Sequence, residues 1–209
     1  MFQALLPVQM PDAHATRRVF LWLLAASMLV KLALAWFLPM GVDEAYATAV
    51  AREFSLSFFD HPPIAFWSPV VAANLTGLEH PVIYRLPVLI YGFVSTWLIF
   101  ALGRELGGDR AALWTVLLYV LSPAFLIAGG AFVLPDGPLE LGSLFCALWL
   151  VRICKAEGQA PFLWWVWVGL GLAFGIGMIA LNLFYMTTGS ETYLFSNVGA
   201  VQKWYGFLI

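Results

Sequence analysis

The sequence predicts an all-α, polytopic membrane protein, and three observations carry that prediction. Of 209 residues, 62% are hydrophobic and only 11% charged, at a mean hydropathy of +0.88, far more apolar than a soluble domain requires. The apolar residues come in runs of about twenty, the length that crosses a bilayer. Between the runs lie short stretches rich in proline, glycine and arginine. About five transmembrane helices follow, with an outer loop of interfacial helices after the first.

The net charge of -2 and the lack of a basic run exclude nucleic acid as a partner. The two cysteines, Cys146 and Cys154, lie in or beside one apolar segment and define neither a disulfide framework nor a metal cluster. They read as packing residues.

Residues 1–18 form a polar arm whose His14 has no neighbouring ligands and takes no role. Thr16-Arg17-Arg18-Val19-Phe20-Leu21 has the outline of a twin-arginine export signal. The apolar run behind it is longer than a signal core and further spans follow, so the arginines mark the end of a retained helix. That first span, Val19 to Met40, carries Lys31 near its middle, where an ionisable group snorkels or pairs with another helix.

From 41 to 84 the chain is too polar and proline-rich to cross again. Phe54, Leu56, Phe58, Phe59, Ile64, Phe66 and Trp67 keep it oily, as in short helices lying on a membrane surface. Asn74-Leu75-Thr76 is a glycosylation sequon, a weak three-residue signal. The second span is Leu86 to Leu102, the third Ala111 to about Phe132 with Pro123 inside it, the fourth about Leu139 to Val151, and the fifth begins near Phe162. Residues 19–180 thus make one transmembrane domain.

Six of the ten basic residues, Arg17, Arg18, Arg104, Arg110, Arg152 and Lys155, then fall on one side. By the charge rule that side is cytoplasmic, the N-terminus with it, and the loops holding Asp43 and Asp136 face outward. Gly169, Gly171, Gly175 and Gly177 lie in an apolar helix with no strand before it, so they are not a nucleotide loop. The spacing of Gly171 and Gly175 suits close helix packing. The tail 181–209 is less apolar and shows no clear span.

The candidate chemistry sits where the first span ends. Gly41-Val42-Asp43-Glu44-Ala45-Tyr46 puts two neighbouring acids at a helix mouth, and Phe58-Phe59-Asp60-His61-Pro62-Pro63 adds an acid, a histidine and two stiffening prolines. Acids at the lipid-water boundary are candidates for a reaction site. Asp136, between Pro135 and Gly137, is also placed to cap the fourth helix.

With Tyr84-Arg85-Leu86-Pro87 before the second span and Pro135-Asp136-Gly137-Pro138-Leu139 before the fourth, these motifs stand in an order that resembles a known family. The chain is similar to the N-terminal part of the dolichyl-phosphate-mannose-protein mannosyltransferase-like membrane glycosyltransferases of the GT-C superfamily. The lipid A aminoarabinose transferases are relatives. The resemblance implies a sugar moved from a polyprenyl-phosphate donor to a lipid, glycan or protein acceptor on the outer face of a bacterial inner (plasma) membrane. It implies Asp43 as catalytic base with Glu44 beside it. It implies Asp60 at a metal or donor-phosphate position with His61 as the basic residue beside it, and a divalent metal ion, where one is used, at Asp60 and Asp43; Arg85, a cation able to neutralise the leaving phosphate, and Asp136 complete the candidate substrate-binding residues. After the fifth-helix glycines the pattern departs: Met178-Ile179-Ala180-Leu181-Asn182 stands where something like Ser-Lys-Tyr is expected. The tail is therefore expected to mark a truncated or frame-shifted product.

Two readings from other classes remain beside this one. A non-catalytic membrane protein would bind or flip the lipid-linked sugar, or act as an accessory subunit. A proton-coupled transporter would bury acids mid-span, and the acids here are read as clustering in the outer loops.

Overall fold

A computed structural model describes residues 12–53, 58, 63–177, 179–180, 183–184 and 187. Among them the chain is helical throughout, with no strand. Helix α1, Ala13–Phe37, begins six residues before the expected span, because the Asp12 side chain accepts from the Ala15 N–H at 2.7 Å and caps the first turn. Its 25 residues rise about 37 Å at 1.5 Å each, more than the hydrocarbon thickness of a bilayer. Pro39 follows the last turn and ends it.

The stretch expected to hold interfacial helices contains two: α2, Val42–Val50, and α3, Pro63–Thr76. Helix α4, Pro81–Leu121, starts earlier than Leu86, since His80 accepts from Val82 N–H and Pro81 occupies the first turn, where its missing N–H costs nothing. Gly107 and Gly108 leave helical geometry, Gly108 at φ 76°, and split α4 into two arms. The arms lie against each other: a Cβ on Gly103 would stand 2.9 Å from the Ala112 Cα. The third span therefore ends at Leu121 rather than near Phe132. Pro123 opens the separate short helix α5, Pro123–Ile127. Helix α6 is Asp136–Lys155 and α7 Phe162–Leu172, continued by a π-helical turn to Gly177.

Helices α1, α4 and α6 are long and apolar enough to cross a membrane, and α7 with its π turn is a shorter apolar segment. Their polarity is inverted relative to a soluble protein. On α1, Trp22 and Leu29 are 74% and 68% exposed while Ser27 and Lys31 are buried. Large apolar side chains outside and polar ones inside are what a lipid surround selects.

The helix ends sort into two sets. At one end Phe20 stacks on Phe100 at 4.1 Å, Arg104 pairs with Asp109, and Arg152 and Lys155 of α6 meet Glu105. Arg17 and Arg104 line one cleft there, so the arginine-rich segments gather as the charge pattern predicts. At the other end the last turn of α1, helix α2, the start of α4 and the 128–136 segment converge. Gly142 packs on α7 so closely that a Cβ would lie 2.7 Å from the Gly171 carbonyl oxygen and 2.6 Å from the Gly175 nitrogen. The close-packing reading holds for that pair, while nothing lies within 4 Å of a Cβ on Gly169.

Candidate active site

Helix α2 is short because it is wedged, by Ala47, Val50 and Ala51, against Phe66, Tyr84, Val88 and Val133. That packing faces Glu44 inward and Asp43 outward, one residue apart on a helix and so about 100° round it. Glu44 is 1% exposed and its partner Arg85 0%. Arg85 Nε donates to Glu44 Oε1 at 2.8 Å and Nη2 to Oε2 at 2.5 Å, a bidentate pair. The other two acceptor positions take Val133 N–H at 2.9 Å and Gly41 N–H at 2.9 Å. Arg85 spends its remaining N–H groups on the carbonyls of Ala35, Leu38 and Pro39, each at 2.8 Å, and its guanidinium lies 4.7 Å from the Phe132 ring centre.

This cluster ties four segments together: the end of α1, the start of α2, the first turns of α4 and the loop into α6. No donor of the Arg85 fork is left for a leaving phosphate. Likewise no oxygen of Glu44 faces the surface.

Asp43 is exposed in the first turn of α2. Asp136 is exposed in the first turn of α6, where Pro135 rather than Asp136 is the cap, one position from that expected. The Glu44–Val133 bond holds their two loops at the same end of the bundle. Asp60 and His61 lie outside the described residues. Nearby, Arg52 pairs with Glu79 at 2.7 Å, which holds its guanidinium above an already high ordinary value. Among the described residues no three His, Cys, Asp or Glu side chains gather to hold a metal ion. Beside the site, an apolar groove of about 420 Å³ runs between α3 and α4, lined by Ile64, Trp67, Val71, Leu86, Ile90 and Tyr91.

The dolichyl-phosphate-mannose-protein mannosyltransferase family profile matches residues 60–205, more than half of the chain. The chain belongs to this family. The match contains Asp60, His61, Arg85 and Asp136, begins after Asp43 and Glu44, and runs through most of the 181–209 tail. No curated protein and no solved structure matches the chain. Membership makes it a multi-pass membrane protein of a GT-C-type glycosyltransferase family, with a lipid-linked sugar donor and an acceptor in general terms.

This mannosyltransferase-family chain also buries charge away from every candidate site residue. Lys31 is 0% exposed, so it faces the bundle interior and does not snorkel. Glu140, read from sequence only as part of the fourth span, is half-buried one turn inside α6. The expectation that acids keep to the outer loops therefore fails at this residue. The Lys31 Nζ, Glu140 Oε1, Ser27 Oγ, Ser95 Oγ and Tyr119 hydroxyl are all buried without a hydrogen-bond partner. The signal in the sequence was Gly129-Gly130, which opens space for both charges.

Proposed function

We propose that the protein is an inverting membrane glycosyltransferase that moves a sugar from a polyprenyl-phosphate donor to a hydroxyl of a lipid, glycan or protein acceptor at the outer face. One observation carries the division of labour: of two adjacent acids, Glu44 is consumed by Arg85 and two backbone N–H groups, while Asp43 is exposed on the same rigid turn. We assign Asp43 the role of general base and Glu44 with Arg85 that of positioning it.

The acceptor hydroxyl gives its proton to the Asp43 carboxylate as its oxygen attacks the anomeric carbon. The bond from that carbon to the phosphate oxygen breaks on the opposite side, and the polyprenyl phosphate leaves with the electron pair. A phosphate monoester is a weak base, so its departure needs charge neutralisation more than an acid. Because Arg85 is fully engaged, that task falls to His61, with Asp60 and Asp136 orienting the sugar. A divalent metal ion, where one is used, would be held by Asp43 and Asp60 and would supply the same charge neutralisation. The apolar groove beside α3 suits a polyprenyl chain, whose CH₂ and methyl groups gain by leaving water.

The test uses the full chain in lipid nanodiscs with a polyprenyl-phosphate sugar and a hydroxyl acceptor. Asp43→Asn is expected to lower transfer by about 10²–10⁴-fold, the usual contribution of a general base, with the unfolding midpoint unchanged. Transfer that survives the substitution refutes the base. Wild-type protein that binds the donor and never turns it over favours the non-catalytic carrier instead.

A further inference from the structure

The strongest unexplained feature is the set of orphaned polar atoms between α1, α4 and α6. Lys31 comes from α1, with Ser27 one turn before it on the same face. Ser95 and Tyr119 come from the two arms of α4, and Glu140 from α6. The Lys31 Nζ is 5.7 Å from the Tyr119 ring centre, and the Tyr119 hydroxyl lies near Glu140 and Ser95 without hydrogen-bond geometry to either. Three glycines make the room. A Cβ on Gly92 would stand 2.7 Å from Lys31 Nζ, one on Gly130 would collide with the same nitrogen, and one on Gly129 with Glu140 Oε2.

Chemistry selects the occupant that completes this set. A buried polar atom without a partner is costly, and a buried charge more so. A cation is repelled by the ammonium, and an anion by the carboxylate. Lys31 only donates, an ionised Glu140 only accepts, and the hydroxyls of Ser27, Ser95 and Tyr119 do either, so a small molecule that both donates and accepts bridges all of them. Buried waters do this, each making about three hydrogen bonds.

We propose that Lys31 and Glu140 form a water-bridged ion pair between α1, α4 and α6, with Gly92 and Gly130 accommodating the lysine end and Gly129 the carboxylate. Gly129 and Gly130 lead directly into Val133, whose N–H holds Glu44, and Glu140 stands one turn below Asp136 on the same face of α6. The pair is thus the inner anchor of the segment that carries the outer site. It does not rest on the transfer reading, and no turnover assay enters its test.

The test is infrared difference spectroscopy on the full chain in nanodiscs at neutral pH, with Glu140→Gln assigning the Glu140 signal. Wild type is expected to show an ionised Glu140 carboxylate and a water band that shifts in H₂¹⁸O. In Lys31→Met the carboxylate signal is expected to be replaced by that of a protonated carboxyl and the water band to be lost, while Lys31→Arg retains the carboxylate. A Glu140 signal indifferent to Lys31→Met, or the absence of any ¹⁸O-sensitive water band in wild type, overturns the proposal. Should Lys31→Met fail to fold, the Lys31→Met/Glu140→Gln double variant decides: it is expected to fold with a higher unfolding midpoint than either single variant. A double variant that falls below both singles counts against the pair.

Discussion

Among the described residues two pairs of opposite charge lie inside the helix bundle, and they solve the same problem in opposite ways. Glu44 and Arg85 meet directly, and two backbone N–H groups and three carbonyls satisfy every remaining group. Lys31 and Glu140 do not touch, and the Lys31 Nζ, the Glu140 Oε1 and the hydroxyls of Ser27, Ser95 and Tyr119 are left without protein partners. The first pair sits where the chain turns and backbone donors and carbonyls are free to be used. The second lies along helices whose backbone groups are already spent on each other. In the second setting only side chains or water remain to satisfy a charge. The difference teaches where each pair gets its stability: one from the backbone of loops, the other from small residues and solvent carried inside.

The comparison breaks most sharply at Arg85. Arg85→Met removes one member of a fully desolvated pair and leaves Glu44 buried with half its partners, along with three carbonyls at the end of α1. A loss of about 3–5 kcal/mol in unfolding free energy is expected, the range for breaking a buried pair on one side. Chemical denaturation in detergent measures it. A loss below about 1 kcal/mol would mean that water reaches Glu44 and that the cluster does not hold the site.

The glycine cradle gives the next smaller effect. Gly92→Ala places a methyl 2.7 Å from the Lys31 Nζ and 2.8 Å from the Gly130 Cα. The lysine end is flexible, but the Gly130 backbone is not. An overpacking cost of about 1–3 kcal/mol is expected. The same substitution at Gly169, where nothing stands within 4 Å, is expected to be neutral or slightly stabilising, because alanine favours the helix. Equal effects at both positions would show that the cradle is loose.

How much of this was legible beforehand follows from which interactions are local. The helical class and the inverted polarity came from composition and run length, and the Gly171/Gly175 contact from spacing within one helix. The helix starts at Ala13 and Pro81 were misjudged because polar capping residues, Asp12 and His80, hide a helix inside what reads as an arm or loop. The third span is shorter than its apolar run because Ser122-Pro123 breaks the helix while the run continues. The resemblance singled out Asp43 as the base, but the burial of Glu44 and the exposure of Asp43 had no signal in the sequence. Their opposite fates depend on Arg85, 41 residues away, and on Val133, 89 residues away. Glu140 was passed over because one acid near a helix start looks like a surface residue until Lys31 is placed beside it.

The smallest effect is expected at the exposed pair at the same end, Arg52 and Glu79. Their nitrogen and oxygen are 2.7 Å apart, closer than several contacts in the buried cluster, yet the side chains are 47% and 66% exposed. Water screens the attraction and ordering two long side chains costs entropy, so a short distance here does not mean a strong bond. Tyr84 also partners Arg52, so losing the carboxylate does not strand the guanidinium. Glu79→Gln is therefore expected to change the unfolding free energy by no more than about 1 kcal/mol, and less at high salt. A loss comparable to that of Arg85→Met would show that depth is not what separates the pairs, and that the loop at residue 79 is itself part of what holds α2 in place.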